Sequence, residues 1–130
     1  MSKSRSNSGV IAIVDDDEPL REALGSVLKA AEFSVAAFHS AEDFIDSPLS
    51  QSASCLILDV RLPGMSGVEL LWHLASRGST IPIIFVTAHG DASLHDVMMK
   101  AGASAFLNKP VRSETLLKEI DAALKKTASN

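Results

Sequence analysis

Five short apolar segments alternate with longer segments of helical periodicity along this chain of 130 residues. Each apolar segment is too short for a helix and ends at a polar or turn-forming residue, which is typical of strands buried on both faces. Such alternation favours a parallel sheet with right-handed crossovers and helices on both sides. The sequence therefore predicts a doubly wound α/β fold with five helices and five strands in the common order 2-1-3-4-5. The predicted strands are residues 10–14, 33–38, 55–58, 81–86 and 103–107.

The third apolar segment leads directly into Asp59, a turn at Pro63-Gly64 and a helix start at Ser66. Ser66 and Glu69 have the spacing of a capping box. In an open parallel sheet, ligands and reactive groups lie at the carboxyl ends of the strands, where Asp59 is placed. Taken alone, Asp59 is as consistent with the first residue of a turn as with a functional carboxylate.

Reactive side chains also follow three other predicted strands. Asp15 and Asp16 follow the first strand, Thr87 follows the fourth and Lys109 follows the fifth. The switch point of this strand order lies between strands 1 and 3, so the three aspartates are expected to converge. Neighbouring carboxylates repel each other unless a cation lies between them, and Mg²⁺ prefers such oxygen ligands. With a hydroxyl and an ammonium nearby, the set suits phosphoryl transfer to a carboxylate.

The set Asp15-Asp16, Asp59, Thr87 and Lys109-Pro110, in this order and at strand ends, resembles the receiver domain of bacterial two-component response regulators. The resemblance covers roughly residues 9–126. The segments 65–71, 87–91 and 100–103 are further similar to the FixJ-type branch of that family. The resemblance implies a flavodoxin-like receiver fold, and we expect residues 1–8 to form a mobile tail and residues 127–130 to fray.

The resemblance also implies the chemical role of each matching residue. Asp59 is expected to be the phosphorylated residue, and Lys109 and Thr87 are expected to contact its phosphoryl group. The implied Mg²⁺ site uses Asp16 and Asp59 directly, Asp15 through water, and the main-chain carbonyl of Arg61. The Lys109–Pro110 bond is similar to a cis peptide of the family.

Other implied roles concern regulation. Thr87 and Phe106 resemble the switch residues of the family. Arg61 and His89 lie two residues beyond Asp59 and Thr87, and we expect them to tune the rate of dephosphorylation. The chain departs from the branch near the expected output face in two places, Ala105 and Val111, where an acid and a phenylalanine are usual.

The implied function is that of a phosphoacceptor, which assists its own phosphorylation and dephosphorylation but is not a turnover enzyme. A sensor histidine kinase is the expected donor. The expected output surface comprises the fourth helix, the fifth strand and the final helix, and it favours a phosphorylation-dependent homodimer. Control of transcription would need a C-terminal helix-turn-helix domain absent from this chain, which would contact the DNA. The alternative is a stand-alone phosphorelay regulator without DNA-binding output.

Two other classes of α/β protein fit the sequence less well. An FMN-binding flavodoxin needs a phosphate loop rich in hydroxyls and glycine after strand 1, whereas this loop is acidic. A phosphatase with an aspartate nucleophile needs a second aspartate two residues later, where this chain has Arg61. A receiver-shaped scaffold that is never phosphorylated is disfavoured, because every reactive residue is present.

The composition of the chain indicates which kinds of partner it binds and in which cellular compartment it is found. The net charge of −4 argues against direct binding of nucleic acid by this domain. We expect neither a signal peptide nor membrane association, because no apolar segment is long enough. The single cysteine, Cys55, opens a strand and is expected to be a buried, reduced thiol in a cytoplasmic protein. We interpret His39, His73 and His95 as structural or solvated.

Overall fold

The computed structural model describes residues 9–88 and 92–128 and contains a five-stranded parallel sheet in the order 2-1-3-4-5, which confirms the predicted topology. The strands are β1 (Val10–Val14), β2 (Ser34–Phe38), β3 (Cys55–Asp59), β4 (Ile83–Thr87) and β5 (Ala105–Asn108). The helices are α1 (Glu18–Ala30), α2 (Ala41–Asp46), α3 (Leu49–Ser52), α4 (Gly67–Ser76), α5 (Ala92–Lys100) and α6 (Ser113–Ala128).

The short helix α3 is the main difference from the predicted elements, because it is additional to the five helices that the sequence predicts. The hydroxyl of Ser47 accepts a hydrogen bond from the amide of Leu49 at 3.1 Å, and the hydroxyl of Ser52 donates to the carbonyl of Pro48 at 3.4 Å. Local serine bonds of this kind stabilise a single helical turn that hydrophobic periodicity does not reveal.

The predicted boundaries of the domain, residues 9 and 126, can be compared with the structure mainly at the C-terminal end. The tail expected at residues 1–8 lies outside the described residues. At the other end, α6 continues to Ala128, past the predicted end of the domain at residue 126. Within the described ranges, no helix has the length and apolar character needed to span a membrane.

The sheet is buried on both faces, so alternate residues of each strand enter two separate hydrophobic clusters. The first cluster packs the sheet against α2, α4 and α5, and its largest members include Leu56, Leu58, Phe85, Phe44, Leu70 and Met98. The second packs it against α1 and α6, with Ile11, Ile13, Ile57, Ile84, Leu28 and Leu116. Complete burial of each such side chain stabilises the fold by about 1.5–3 kcal/mol. The sheet is therefore a rigid support for the groups at its carboxyl edge.

Helix α4 begins with the predicted capping box. The amide of Glu69 donates to the Ser66 hydroxyl at 3.1 Å, and the amide of Ser66 donates to the Glu69 carboxylate at 2.9 Å. Ser40 caps α2 in a similar way, accepting from the amide of Asp43 at 3.1 Å.

Gly67 lets the start of α4 approach the end of β3. Its amide donates to the carbonyl of Val60 at 2.9 Å. A Cβ atom added at Gly67 would collide with the main-chain carbonyl oxygen of Asp59. A side chain at this position would therefore displace the backbone that carries Asp59.

We expect Gly67→Ala to lower the free energy of unfolding by about 1–3 kcal/mol, because the new methyl group overpacks against backbone. Gly25→Ala is the matched control in α1, where the nearest atom to the added Cβ, from Val35, is 4.0 Å away. Its better helix propensity should raise stability by up to about 1 kcal/mol. Urea denaturation measures both changes, and a Gly67→Ala protein as stable as the wild type would contradict the close approach.

Candidate functional site

The carboxyl edge of the sheet gathers the buried polar side chains. In the described part of the chain, the buried polar or charged residues are Asp15, Asp59 and Thr87, exposed by 1%, 6% and 1%. Asp15 follows β1 directly, whereas Asp59 ends β3 and Thr87 ends β4. Burying polar groups is costly unless they are paired. Their common position at one edge therefore marks this edge as the candidate site.

Lys109 extends from the end of β5 into this group. Its Nζ lies 3.1 Å from Oδ2 of Asp15 and 3.4 Å from Oδ2 of Asp59. Its main-chain amide donates to the carbonyl of Thr87 at 2.8 Å. This bond fixes the start of the loop between β5 and α6. The peptide bond to Pro110 is cis, as the resemblance to the family implied. The ammonium is thus shared by two buried carboxylates.

The loop after β1 orients Asp15 through backbone contacts. Oδ1 of Asp15 accepts a hydrogen bond from the amide of Asp17 at 2.9 Å. Nη1 of Arg21, in α1, donates to the carbonyl of Asp15 at 2.7 Å. Asp17 itself caps α1 and accepts from the amide of Leu20 at 3.3 Å. We did not select Arg21 from the sequence, because its helical position alone does not show that it reaches back to the strand end.

The aspartates converge as the strand order predicted. Asp15, Asp16 and Asp59 each offer a carboxylate oxygen, and these oxygens lie within 4.8 Å of one another. Oδ2 of Asp15 is buried and accepts no aligned hydrogen bond, although the Lys109 ammonium lies at ion-pair distance. Asp16 is exposed, so the cluster is open to solvent on one side. A hard divalent cation fits this set of oxygen donors.

The electrostatics leave Asp59 with an unfavourable charge. Burial raises the pKa of its carboxyl, and the negative charge of Asp15 raises it further. Lys109 and the amide of Arg61, 3.4 Å from Oδ1 of Asp59, act in the opposite direction. For Lys109, burial disfavours the charged form, but the contacts with Asp15 and Asp59 outweigh it and raise the pKa of the ammonium. One firmly charged ammonium thus faces an excess of carboxylate charge.

Phe106 lies outside this cluster, on β5, and is partly buried. Its ring centroid is 6.3 Å from that of Phe85 and 5.4 Å from the ring of His95, which meets it edge to face. His95 therefore makes a structural contact with Phe106, although its side chain is 50% exposed. Only the packing of α5 on β5 brings the two residues together, and no sequence motif signals it.

Both departures from the FixJ-type branch, Ala105 and Val111, lie on the opposite side of the sheet from Phe106. Ala105 is buried, with 7% exposure, in the cluster beneath α1 and α6, and Val111 packs against the same cluster. The change at Ala105 therefore affects interior packing and not an exposed surface. His89, the predicted rate-tuning residue, lies outside the described residues.

The family is shown by comparison with known proteins. The family model described as response regulator receiver domain matches residues 11–121. This chain therefore belongs to the receiver-domain family of response regulators, as its fold and acidic edge indicated.

Individual relatives support the resemblance to the FixJ-type branch. The chain is 40% identical over 118 residues to the transcriptional regulatory protein TdiR of Thauera aromatica, covering 91% of this chain and 52% of TdiR. It is 45% identical over 118 residues to the response regulator protein TodT of Pseudomonas putida, with the same coverage of 91% and 52%. The crystal structure of FixJ-N superposes with a TM-score of 0.81 at 38% identity, covering 90% of this chain and 94% of FixJ-N. The chain thus spans about half the length of these two curated relatives.

We expect Asp59→Asn to raise the free energy of unfolding at pH 7 in metal-free buffer. The raised pKa of Asp59 means that its protonated form favours folding, and this contribution is lost as the pH rises through the raised pKa. The advantage of the variant should therefore vanish below about pH 4, the ordinary pKa of an aspartate. Urea denaturation across this pH range in EDTA measures the effect.

Asp96→Asn is the control, because the side chain of Asp96 is 72% exposed. It should change stability by less than about 0.5 kcal/mol at every pH. An Asp59→Asn protein that is less stable than the wild type at pH 7 would contradict the assigned electrostatics.

Proposed function

We propose that this chain is a phosphoacceptor that takes a phosphoryl group from the phosphohistidine of a sensor histidine kinase onto Asp59, with residues 9–126 as the functional unit. The observation that carries the proposal is the buried Asp59 carboxylate beside a lysine ammonium, 3.4 Å away, at the edge of an acidic cluster. The domain promotes its own phosphorylation and dephosphorylation without acting as a turnover enzyme. We place it in the cytoplasm, where the buried Cys55, with its pKa raised to about 12, stays a thiol.

The transfer is a displacement at phosphorus. A carboxylate oxygen of Asp59 forms the new bond, the bond from phosphorus to the histidine nitrogen breaks, and its electron pair leaves with that nitrogen. The Lys109 ammonium balances negative charge on the phosphoryl oxygens, and the Thr87 hydroxyl donates a hydrogen bond to one of them. The buried position of Asp59 strengthens both interactions, because fewer water molecules screen the charges.

Asp15, Asp16, Asp59 and the main-chain carbonyl of Arg61 would hold Mg²⁺ beside the phosphoryl group. The crowding of three carboxylates supports this assignment, because one lysine ammonium, paired with the buried Oδ2 of Asp15 and with Asp59, offsets only part of their charge. When bound, the ion supplies positive charge that neutralises the phosphoryl oxygens. Arg61 and His89 would set how readily water reaches the aspartyl phosphate.

The proposed output surface consists of α5, β5 and α6. A phosphoryl group on Asp59 draws the Thr87 hydroxyl toward it, and Phe106 on the neighbouring strand turns inward. Phe106 is only partly buried and packs against the exposed His95, so it has room to change its conformation. Such a discrete rearrangement carries a small change at the site to a distant surface.

A second copy of the chain is the proposed partner of this surface. Among the described residues, the large exposed apolar side chains are Trp72, Val97 and Met99, and the last two lie on α5. A symmetric dimer through this surface would bury Val97 and Met99, whereas Trp72 lies on α4, outside it. The name of TdiR, a transcriptional regulatory protein, favours transcriptional output over a stand-alone regulator. A further DNA-binding domain is the proposed carrier of that output.

Acetyl phosphate with Mg²⁺ should attach one base-labile phosphoryl group to the chain, as intact-protein mass spectrometry measures. Asp59→Asn should reduce this label to background, because it lacks the nucleophilic carboxylate. Asp16→Asn, or EDTA, should also suppress labelling, whereas Asp96→Asn should label as the wild type does. A label that persists in Asp59→Asn would refute the proposed nucleophile.

Beryllofluoride with Mg²⁺, which imitates a phosphoryl group, should convert the chain from monomer to dimer in sedimentation experiments. Thr87→Ala should remain a monomer under the same conditions, because it lacks the hydroxyl that is proposed to move toward the phosphoryl group. Thr80→Ala is the control at an exposed threonine beyond α4, and it should dimerise normally. Dimerisation of Thr87→Ala would contradict the coupling between site and surface.

A further inference from the structure

The loop between β3 and α4, residues 60–66, is fastened to the rest of the fold at three points. At its start, the amide of Val60 donates to the carbonyl of Val86 at 3.3 Å. At its end, the capping box of Ser66 and Glu69 joins it to α4. Between these points, the amide of Met65 donates to Oε2 of Glu42 at 2.9 Å, a contact between residues 23 positions apart. We call this last contact the loop clamp.

The helical turn that carries Glu42 is held by the core, although the Glu42 side chain itself is exposed. Glu42 lies in the first turn of α2, directly after the Ser40 cap and Ala41. Ala41 and Phe44 are fully buried and hold this turn against the core. The hydrogen bond from Met65 lowers the pKa of Glu42, so its carboxylate is the accepting group at neutral pH. A fixed helical turn therefore presents a charged acceptor to the loop, and such bonds are stronger than neutral ones.

Gly64 is matched to this contact. Its φ of +72° is in the left-handed region that favours glycine. A Cβ atom at Gly64 would also lie only 2.6 Å from Oε2 of Glu42. The absence of a side chain thus permits both the turn and the approach of the carboxylate.

The same loop carries the residue that contacts the phosphoacceptor. The amide of Arg61 donates to Oδ1 of Asp59 at 3.4 Å, which is longer than is usual for such a hydrogen bond. Since this bond is already long, a displacement of the loop by a few tenths of an ångström would break it. The Arg61 carbonyl, a proposed metal ligand, would move with it.

We propose that Glu42 is a positioning residue for phosphoryl transfer to Asp59, because its hydrogen bond to Met65 holds the loop that places the backbone of Arg61 against the reacting carboxylate. This inference rests on the proposed phosphoacceptor function. It assigns to α2, which supplies none of the proposed reacting or metal-binding residues, a part in setting the rate of transfer. Glu42 itself does not touch the phosphoryl group.

Three variants separate this role from a general effect on α2. Glu42→Ala removes the acceptor, whereas Glu42→Gln keeps an amide oxygen of similar reach. Asp43→Ala is the matched control, because Asp43 is the next acidic residue of the same first turn and its carboxylate contacts only the exposed His39 side chain, at 3.0 Å, among the contacts described. Both alanine variants lose one negative charge near the helix N-terminus, which favours such charges.

Two measurements follow the variants. The first is hydrogen exchange of the Met65 amide by NMR, which reports the clamp itself without phosphorylation. The second is the rate constant of labelling by acetyl phosphate with saturating Mg²⁺. Glu42→Ala should expose the Met65 amide and slow labelling by about 5- to 10-fold, because small misplacements near reacting groups are costly. Glu42→Gln should recover most of both properties, and Asp43→Ala should match the wild type.

If Glu42→Ala is labelled as fast as the wild type, the positioning role alone is overturned. A Met65 amide that stays protected in Glu42→Ala would overturn it too, and so would a Glu42→Gln protein as slow as Glu42→Ala. Absence of label at Asp59 in the wild type would instead overturn the proposed function and, with it, the role in transfer.

Discussion

The ammonium of Lys109 between the buried carboxylates of Asp15 and Asp59 is the interaction on which the site depends. A single positive charge at 3.1 and 3.4 Å from two carboxylates offsets only part of their cost of burial. Burial and the negative charge of Asp15 therefore raise the pKa of Asp59 despite the lysine. The edge of the sheet is therefore stable enough to fold but retains an excess of negative charge, and this excess favours the arrival of a cation. The sheet supplies the necessary rigidity, because both of its faces are buried.

The parts of the structure that the sequence predicted are those governed by local rules. Apolar runs of strand length, the Ser66–Glu69 capping box and the residues at strand ends all follow from spacing along the chain. The strand order was an expectation for alternating α/β chains, and the structure confirms it. Once that order is accepted, the convergence of Asp15, Asp16 and Asp59 follows from geometry.

What the sequence did not predict depends on contacts between distant elements. Arg21 reaches back to the carbonyl of Asp15, His95 meets the ring of Phe106, and Glu42 holds the amide of Met65. Each contact needs the packed positions of two elements, and none leaves a periodic or motif signal. The single turn of α3 was missed for a different reason, because serine hydroxyls create it without any apolar pattern. The convergence of the charged side chains at one edge could thus be predicted from the sequence, whereas the contacts that adjust their positions could not.

The thiol of Cys55 can serve as a chemical probe of how often the central strand β3 separates from the sheet. Cys55 is the only cysteine of the chain, it is fully buried, and it begins the strand that ends in Asp59. A thiol in this position, with a pKa of about 12, is almost entirely protonated and inaccessible in the native state. Thiol-directed reagents can therefore modify it only when β3 separates from its neighbours. The rate of that modification would record how often the central strand opens, and how far occupation of the acidic edge keeps it closed.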